Sequence, residues 1–161
     1  MDCGDSTARC YTLLSAAPLD VEGLRRRVAE PGCGAIVVML GQVRDHHRGR
    51  RVDRLTYQAY APLAEEVLAE IAGAVAGRWP GLRFALAHRT GTLEVGETSV
   101  VVAVAAPHRD EAFEACRWCI DELKRRLPVW KREEGPDGQR WQEEIPLEPP
   151  PGPAGGRREE P

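Results

Sequence analysis

The sequence predicts an α+β domain with three helices and a mostly antiparallel sheet. Three observations carry that prediction. Apolar residues recur at helical spacing in three stretches. Between them lie short runs that are β-branched or alternate apolar with polar. These runs come mostly in hairpin-like pairs between the helices, whereas a parallel sheet would alternate single strands with helices. A length of 161 residues suits one domain with its own core.

Each element has a local reason. Residues 11–15 form a short β-like run. Asp20 is placed to cap a helix over 21–29, which Pro31-Gly32 closes. Residues 34–43 (GAIVVMLGQV) are apolar and β-branched, the pattern of a buried strand. Residues 44–54 form a charged loop. Residues 55–60 alternate, predicting a strand that pairs back on the preceding one. Pro62 opens a second helix running to Arg78, with Leu63, Val67, Leu68, Ile71, Ala74 and Val75 at helical spacing. Trp79-Pro80-Gly81 stops it. Residues 82–89 and 99–106 are two further strands, with turns at Gly91 and Gly96. Pro107 begins the longest helix, which runs to about Leu127 and is striped by Phe113, Cys116, Ile120, Leu123 and Leu127. Pro128 ends it. Residues 129–134 and 140–143 predict a terminal hairpin around GPDG. The folded domain is expected over 9–144. Residues 1–8 read as a flexible N-terminus. Residues 145–161 hold six of the 13 prolines and no aromatic, so they read as a disordered Pro/Gly-rich tail.

Composition narrows the function. A net charge of −3 provides no global field for nucleic acid. Loop 44–54 carries five arginines and two histidines but no interleaved aromatics, so a solvated tip is favoured over a nucleic-acid surface. No apolar run is long enough to span a membrane, and the polar start lacks a signal peptide pattern, so a cytoplasmic location without membrane contact is expected. Five cysteines, an odd number, read as free thiols in a reducing compartment. Cys116 and Cys119 form a C-x-x-C pair, but inside a helix with no second pair facing them. Two small apolar residues on a helix face explain them better than metal or redox chemistry. His46 and His47 have no partner at ligand spacing. Neither a metal nor any other cofactor is expected, and neither a nucleophile elbow nor a phosphate-cradling Gly-rich loop is present.

Four basic clusters remain. Gln42-Val43-Arg44 lies where a buried strand leaves the core. His108-Arg109 opens the long helix, where unpaired N–H groups and the dipole favour an anion; Asp110 and Glu111 could instead neutralise the pair locally. Lys124 lies beside the apolar stripe in that helix's last turns, either snorkelling toward water or partly desolvated for chemistry. Lys131-Arg132-Glu133 follows Pro128; a solvated edge-strand lysine is the alternative there. Lys124 and Lys131 are the only lysines among 22 basic residues, and all the rest are arginine. On a surface the two types are near equivalents. They differ where a compact, titratable amine is required, so the two survivors draw suspicion.

At these same clusters the sequence resembles the large, catalytic subunit of molybdopterin synthase. The matching stretches are GAIVVMLGQVRDHHRG, HRTGTLEVGE, AAPHRDEAFEACRWCIDELKRRLPVWKRE and GPDGQRW, which lie within residues 10–143. The resemblance implies an α/β hammerhead-type fold and a homodimer. Each large subunit of that family also binds a small ubiquitin-like sulfur-carrier subunit, giving a heterotetramer. The carrier's C-terminal Gly-Gly bears a thiocarboxylate. Two sulfurs pass to cyclic pyranopterin monophosphate to make the molybdopterin dithiolene. By the same resemblance Lys124 and Lys131 are the catalytic pair, and His108, Arg109 and Arg44 contact substrate. Val43, Arg132 and Glu133 lie beside them. Gln42 departs from members that carry a basic residue there.

The resemblance, which puts Arg109 and Lys124 in one site, also implies a geometric expectation. Arg109 and Lys124 lie on one uninterrupted helix. Their separation implies about 22 Å between them, too far for one small pocket. Either the helix breaks or the pocket combines the helix start of one subunit with the helix end of another; no Gly or Pro interrupts 108–127, so a site shared across a twofold interface is favoured. Two other function classes compete: a non-catalytic phosphate-binding regulator using the same clusters, and a nucleic-acid module built on loop 44–54.

Overall fold

The computed structural model describes residues 9–142. The expected flexible N-terminus, the Pro/Gly-rich tail and the last two residues of the expected domain lie outside the described residues. The chain runs β1 (Cys10–Ser15), α1 (Val21–Val28), β2 (Ala35–Gln42), β3 (His46–His47), β4 (Arg50–Arg51), β5 (Arg54–Ala59), α2 (Ala61–Arg78), β6 (Arg83–Arg89), β7 (Gly91–Glu94), β8 (Thr98–Ala106), α3 (Arg109–Arg126), β9 (Val129–Gly135) and β10 (Gly138–Gln142). This is the predicted α+β class.

Two four-stranded sheets form, in the orders β1-β6-β8-β2 and β10-β9-β5-β7, and β3-β4 make a separate ribbon. Every pairing is antiparallel except β1 with β6. β8 is central in the first sheet and buried on both faces, which is why SVVVAVAA reads as an unbroken apolar run. One face carries Phe84, Leu86, Val102 and Val104 and packs under α2 and α3. The other offers Ala85, Ala87, Ala103 and Ala105, small enough for the short α1 to sit close with Leu24 and Val28. The Asp20 side chain accepts from Gly23 N–H at 2.9 Å, as the cap reading required. Among the described residues no helix is long and apolar enough to cross a membrane.

Several expectations need correction. β5 does not pair back on β2; it lies between β9 and β7. Arg54 sits directly opposite Glu134 on one side and Glu94 on the other, and Leu55 faces Leu93. Opposite charges and an apolar pair hold β5 in the second sheet, and these outweigh chain adjacency. Loop 44–54 contains the β3-β4 ribbon, turned by Arg48 and Gly49, both at positive φ. The Gly91–Gly96 turn region contains strand β7. Leu63 and Phe113, placed in apolar stripes, are exposed. Ala64 and Ala112 take the inward positions, because small residues next to the predicted ones satisfy the same helical period.

The end of β2 is where the first sheet departs from regular pairing. Its register shifts between Gly41 and Gln42. A Cβ on Gly41 would lie 2.4 Å from Val100 Cγ1, so only glycine fits the sheet there. Beyond the bulge the chain is held by Val43 N–H to Glu97 O at 3.0 Å and Gly96 N–H to Val43 O at 2.8 Å. Bulges re-aim side chains at strand ends; this one directs the segment through Arg44. Gly41→Ala is expected to lower stability by about 1–3 kcal/mol through overpacking. Adding Val100→Ala should restore part of the loss in chemical denaturation.

Candidate functional site

A cleft of about 470 Å³ opens between the exit of β2, the inner face of the second sheet and the C-terminal half of α3. Its apolar wall is built by Ile120, Leu123 and Leu127, positions three and four apart on one helix face. Lys124 lies one turn beyond Ile120 and so reaches the same cleft. Its neighbours are held elsewhere: Arg125 pairs with Glu122 at 2.5 Å, and Arg126 pairs with Glu70 and Glu122.

After Leu127 the chain reverses through Pro128 into β9. The pleat then alternates: Val129, Lys131 and Glu133 line the cleft, while Arg132 points away. Arg132 lies over the Trp141 ring, 5.6 Å from its centroid, and donates to Glu134 at 3.3 Å. Gln42, Val43 and Arg44 complete the wall. Val43 is buried and Arg44 exposed at the rim. Six of the nine sequence-predicted site residues, Gln42, Val43, Arg44, Lys124, Lys131 and Glu133, therefore share one cleft. His108 and Arg109 do not. His108 is the N-cap of α3 without a side-chain cap bond, and Arg109 is exposed, 3.8 Å from Asp110. Both stand at the opposite end of the helix.

The floor holds polar groups that sequence reasoning missed. His88 ends the inward row Phe84, Leu86, His88 on β6 and is 5% exposed. A histidine in an apolar period-two row is the signal that could have found it. Its Nδ1 lies 2.8 Å from the Arg89 carbonyl. A carbonyl only accepts, so Nδ1 carries the proton and Nε2 is left as acceptor. Burial pushes the imidazole down to about 4; the bond to the Arg89 carbonyl opposes the fall, and the Lys131 charge adds a smaller push in the same direction as burial. Tyr57 packs edge-on against His88, with centroids 5.2 Å apart. Burial raises the Tyr57 hydroxyl; a bond to Ser99 opposes the rise and the Glu133 charge adds to it. His47, which has no carboxylate partner at ligand spacing in the sequence, has one in space. Glu133 lies 2.9 Å away, supplied by a distant strand, and the Gln142 amide contacts the same ring nitrogen.

The thiols stand apart. Burial pushes Cys116 up to about 11 and Cys119 up to about 12, so both stay protonated and unreactive within the core. No group of three potential metal ligands occurs among the described residues.

A family model described as "MoaE protein" matches residues 14–126. The chain is 44% identical over 131 residues to molybdopterin synthase catalytic subunit 1 of Mycobacterium tuberculosis, covering 81% of this chain and 89% of that one. It is 38% identical over 128 residues to the molybdopterin synthase catalytic subunit of Bacillus subtilis, with 80% and 82% covered. Its fold matches the crystal structure of molybdopterin synthase from Staphylococcus aureus with a TM-score of 0.77 and 36% identity, over 80% of this chain and 94% of that chain.

His88 also sets a pH dependence. Its folded value lies below the ordinary 6.5, so the unfolded chain binds the proton more tightly. Stability should therefore be unaffected above about pH 6.5 and fall as pH drops toward 4, by up to about 3 kcal/mol. Urea titrations across that window should show a shallower acid slope in His88→Phe than in the parent chain.

Proposed function

We infer the function from one premise: the chain belongs to the MoaE protein family. It acts as the catalytic subunit of a molybdopterin synthase, a sulfurtransferase of molybdenum cofactor biosynthesis. Sulfur moves from the C-terminal thiocarboxylate of a small ubiquitin-like carrier subunit to cyclic pyranopterin monophosphate, forming the molybdopterin dithiolene. The described residues work as one catalytic domain. A reducing, cytoplasmic setting suits the unbridged thiols of Cys10, Cys33, Cys116 and Cys119.

The observation that carries the site assignment is the convergence of Lys124 and Lys131, from a helix end and a strand, on one cleft with Arg44 at its rim. The substrate is a phosphate ester and the donor an anionic thiocarboxylate. Arginine suits the first, and paired ammonium groups attract the second. Opening the cyclic phosphate needs proton donors and acceptors, which a lysine amine provides in its two protonation states. Cys116 and Cys119 lie buried outside the cleft and protonated, so they offer sulfur no relay, and it passes directly from carrier to substrate.

His108 and Arg109 supply the missing phosphate contacts only if they come from another copy. α3 is continuous from Arg109 to Arg126. A rise of about 1.5 Å per residue keeps its two ends about 22 Å apart. The working unit is then a homodimer in which one protomer's helix start completes its partner's cleft, with a carrier on each side. Arg132 contributes from behind, steadying β9 and Trp141.

Two measurements test these assignments. With thiocarboxylated carrier and cyclic pyranopterin, Lys124→Ala and Lys131→Ala should each lower dithiolene formation at least about 100-fold. A phosphate-binding regulator would lose affinity only, and a nucleic-acid module would leave the reaction absent in the parent chain. In the second, inactive Arg109→Ala and Lys124→Ala chains are mixed and allowed to exchange. They should regain about a quarter of parental turnover, because half the dimers then hold one intact composite site. No recovery, or a fully active monomer, would refute the shared site.

A further inference from the structure

We propose that His88 is a positioning residue for Lys131: its Nε2 accepts a hydrogen bond from the Lys131 ammonium and aims that amine at the reacting atoms. This rests on the sulfur-transfer reading above, which assigns Lys131 to the chemistry.

The placement carries it. His88 occupies a core position on β6, where Phe84 and Leu86 precede it in the same inward row, yet it also lines the cleft. An imidazole at such a site costs stability unless it is satisfied, and an apolar residue would pack the floor as well. One ring nitrogen is committed to the Arg89 carbonyl at 2.8 Å, which fixes the tautomer. The ring plane is fixed too, by the edge contact with Tyr57 at an interplanar angle of 80°. Tyr57 is the direct cross-strand partner of Lys131, so the two side chains leave the second sheet on the same face. Lys131 is near enough for its charge to act on the His88 ring. A rigid, neutral acceptor thus stands beside a flexible four-carbon amine, whose three N–H donors can serve this contact and others at once.

The charges facing His88 leave it in that role. Lys131 and Glu133 come from β9, Tyr57 from β5, Lys124 from α3 and His47 from the ribbon. Glu133 is occupied by His47. A neutral acceptor orients the amine through one of its three N–H donors.

Two arms test the proposal. Nitrogen NMR of histidine-labelled full-length protein should show His88 as the neutral Nδ1–H tautomer down to about pH 5. Replacing Lys131 with Met should move its titration upward, because a neighbouring positive charge is gone. An Nε2–H tautomer, or a titration unmoved in Lys131→Met, overturns the proposal. The kinetic arm uses the assembled synthase. His88→Phe keeps the packing against Tyr57 and should retain a thermal midpoint near the parent's while kcat falls about 10–100-fold with KM for the pyranopterin within about twofold. His88→Gln restores an acceptor and should recover kcat to within about fivefold of the parent. Parental kcat in His88→Phe, or equal loss in both variants, refutes the positioning role. If Lys131→Met itself keeps parental turnover, the sulfur-transfer assignment of Lys131 fails instead, and the NMR arm still decides the contact.

Discussion

The reversal at Leu127-Pro128 is the constraint on which the site depends. The ring of Pro128 removes a donor and disfavours the α region for the residue before it, so α3 must stop. Leu127 N–H still reaches Leu123 O at 2.9 Å, and Val129 N–H turns back to Leu127 O at 2.8 Å. Leu127, Pro128 and Val129 are all buried, so the turn is clamped by the core. A helix with a period of 3.6 residues and a strand with a period of 2 are thereby joined at a fixed phase. That phase decides that Lys124 and Lys131 look into the same cleft and that Arg132 looks out. Inserting one residue after Pro128 would exchange the roles of Lys131 and Arg132 without altering either side chain.

The second sheet translates the same phase into electrostatics. β5 is its spine, with Arg54 opposite both Glu134 and Glu94. The outward face of β9 is neutralised by short-range pairs: Arg54 lies 3.6 Å from Glu134, and Arg132 is shared between Glu134 and Trp141. On the inward face Glu133 is engaged by His47, and the cleft presents two amines and a rim arginine. Setting paired arginines outward and amines inward is how a chain with net charge −3 presents a local positive field to anionic reactants.

Much of this was legible in the residues, and the failures have physical causes. Local signals succeeded where the information is local: the Asp20 cap, the Pro128 stop, the GPDG hairpin and the unbroken apolar run of β8. Pairing failed where it depends on distant partners. Nothing near residues 54–59 announces that β5 will choose β9 and β7 over β2, because the choice is made by Glu134, Glu94 and Leu93. The site divides the same way. Lys124 and Lys131 stand out through composition and resemblance. His47 looks partnerless because Glu133 lies far along the chain. His88 is easily overlooked because the period-two row containing it is otherwise apolar.

The arginine-rich composition then acquires a mechanical meaning. Arginine is a rigid, permanently charged fork that holds carboxylates and phosphates well. The chain uses it for static pairs, as in Arg25 with Glu22, Arg89 with Glu97 and Arg126 with Glu70. Both lysines face the cleft, where the proposed sulfur transfer would have a group attract an anion, give up or take a proton and then let a carboxylate product leave. A guanidinium in either place would keep the attraction but not the proton transfer, and its bidentate grip would slow release. Under the proposed transfer the requirement is therefore for an amine at a fixed phase, not for positive charge as such. The core clamp at Pro128 supplies the phase, and the long lysine side chains supply the reach to follow the reacting groups.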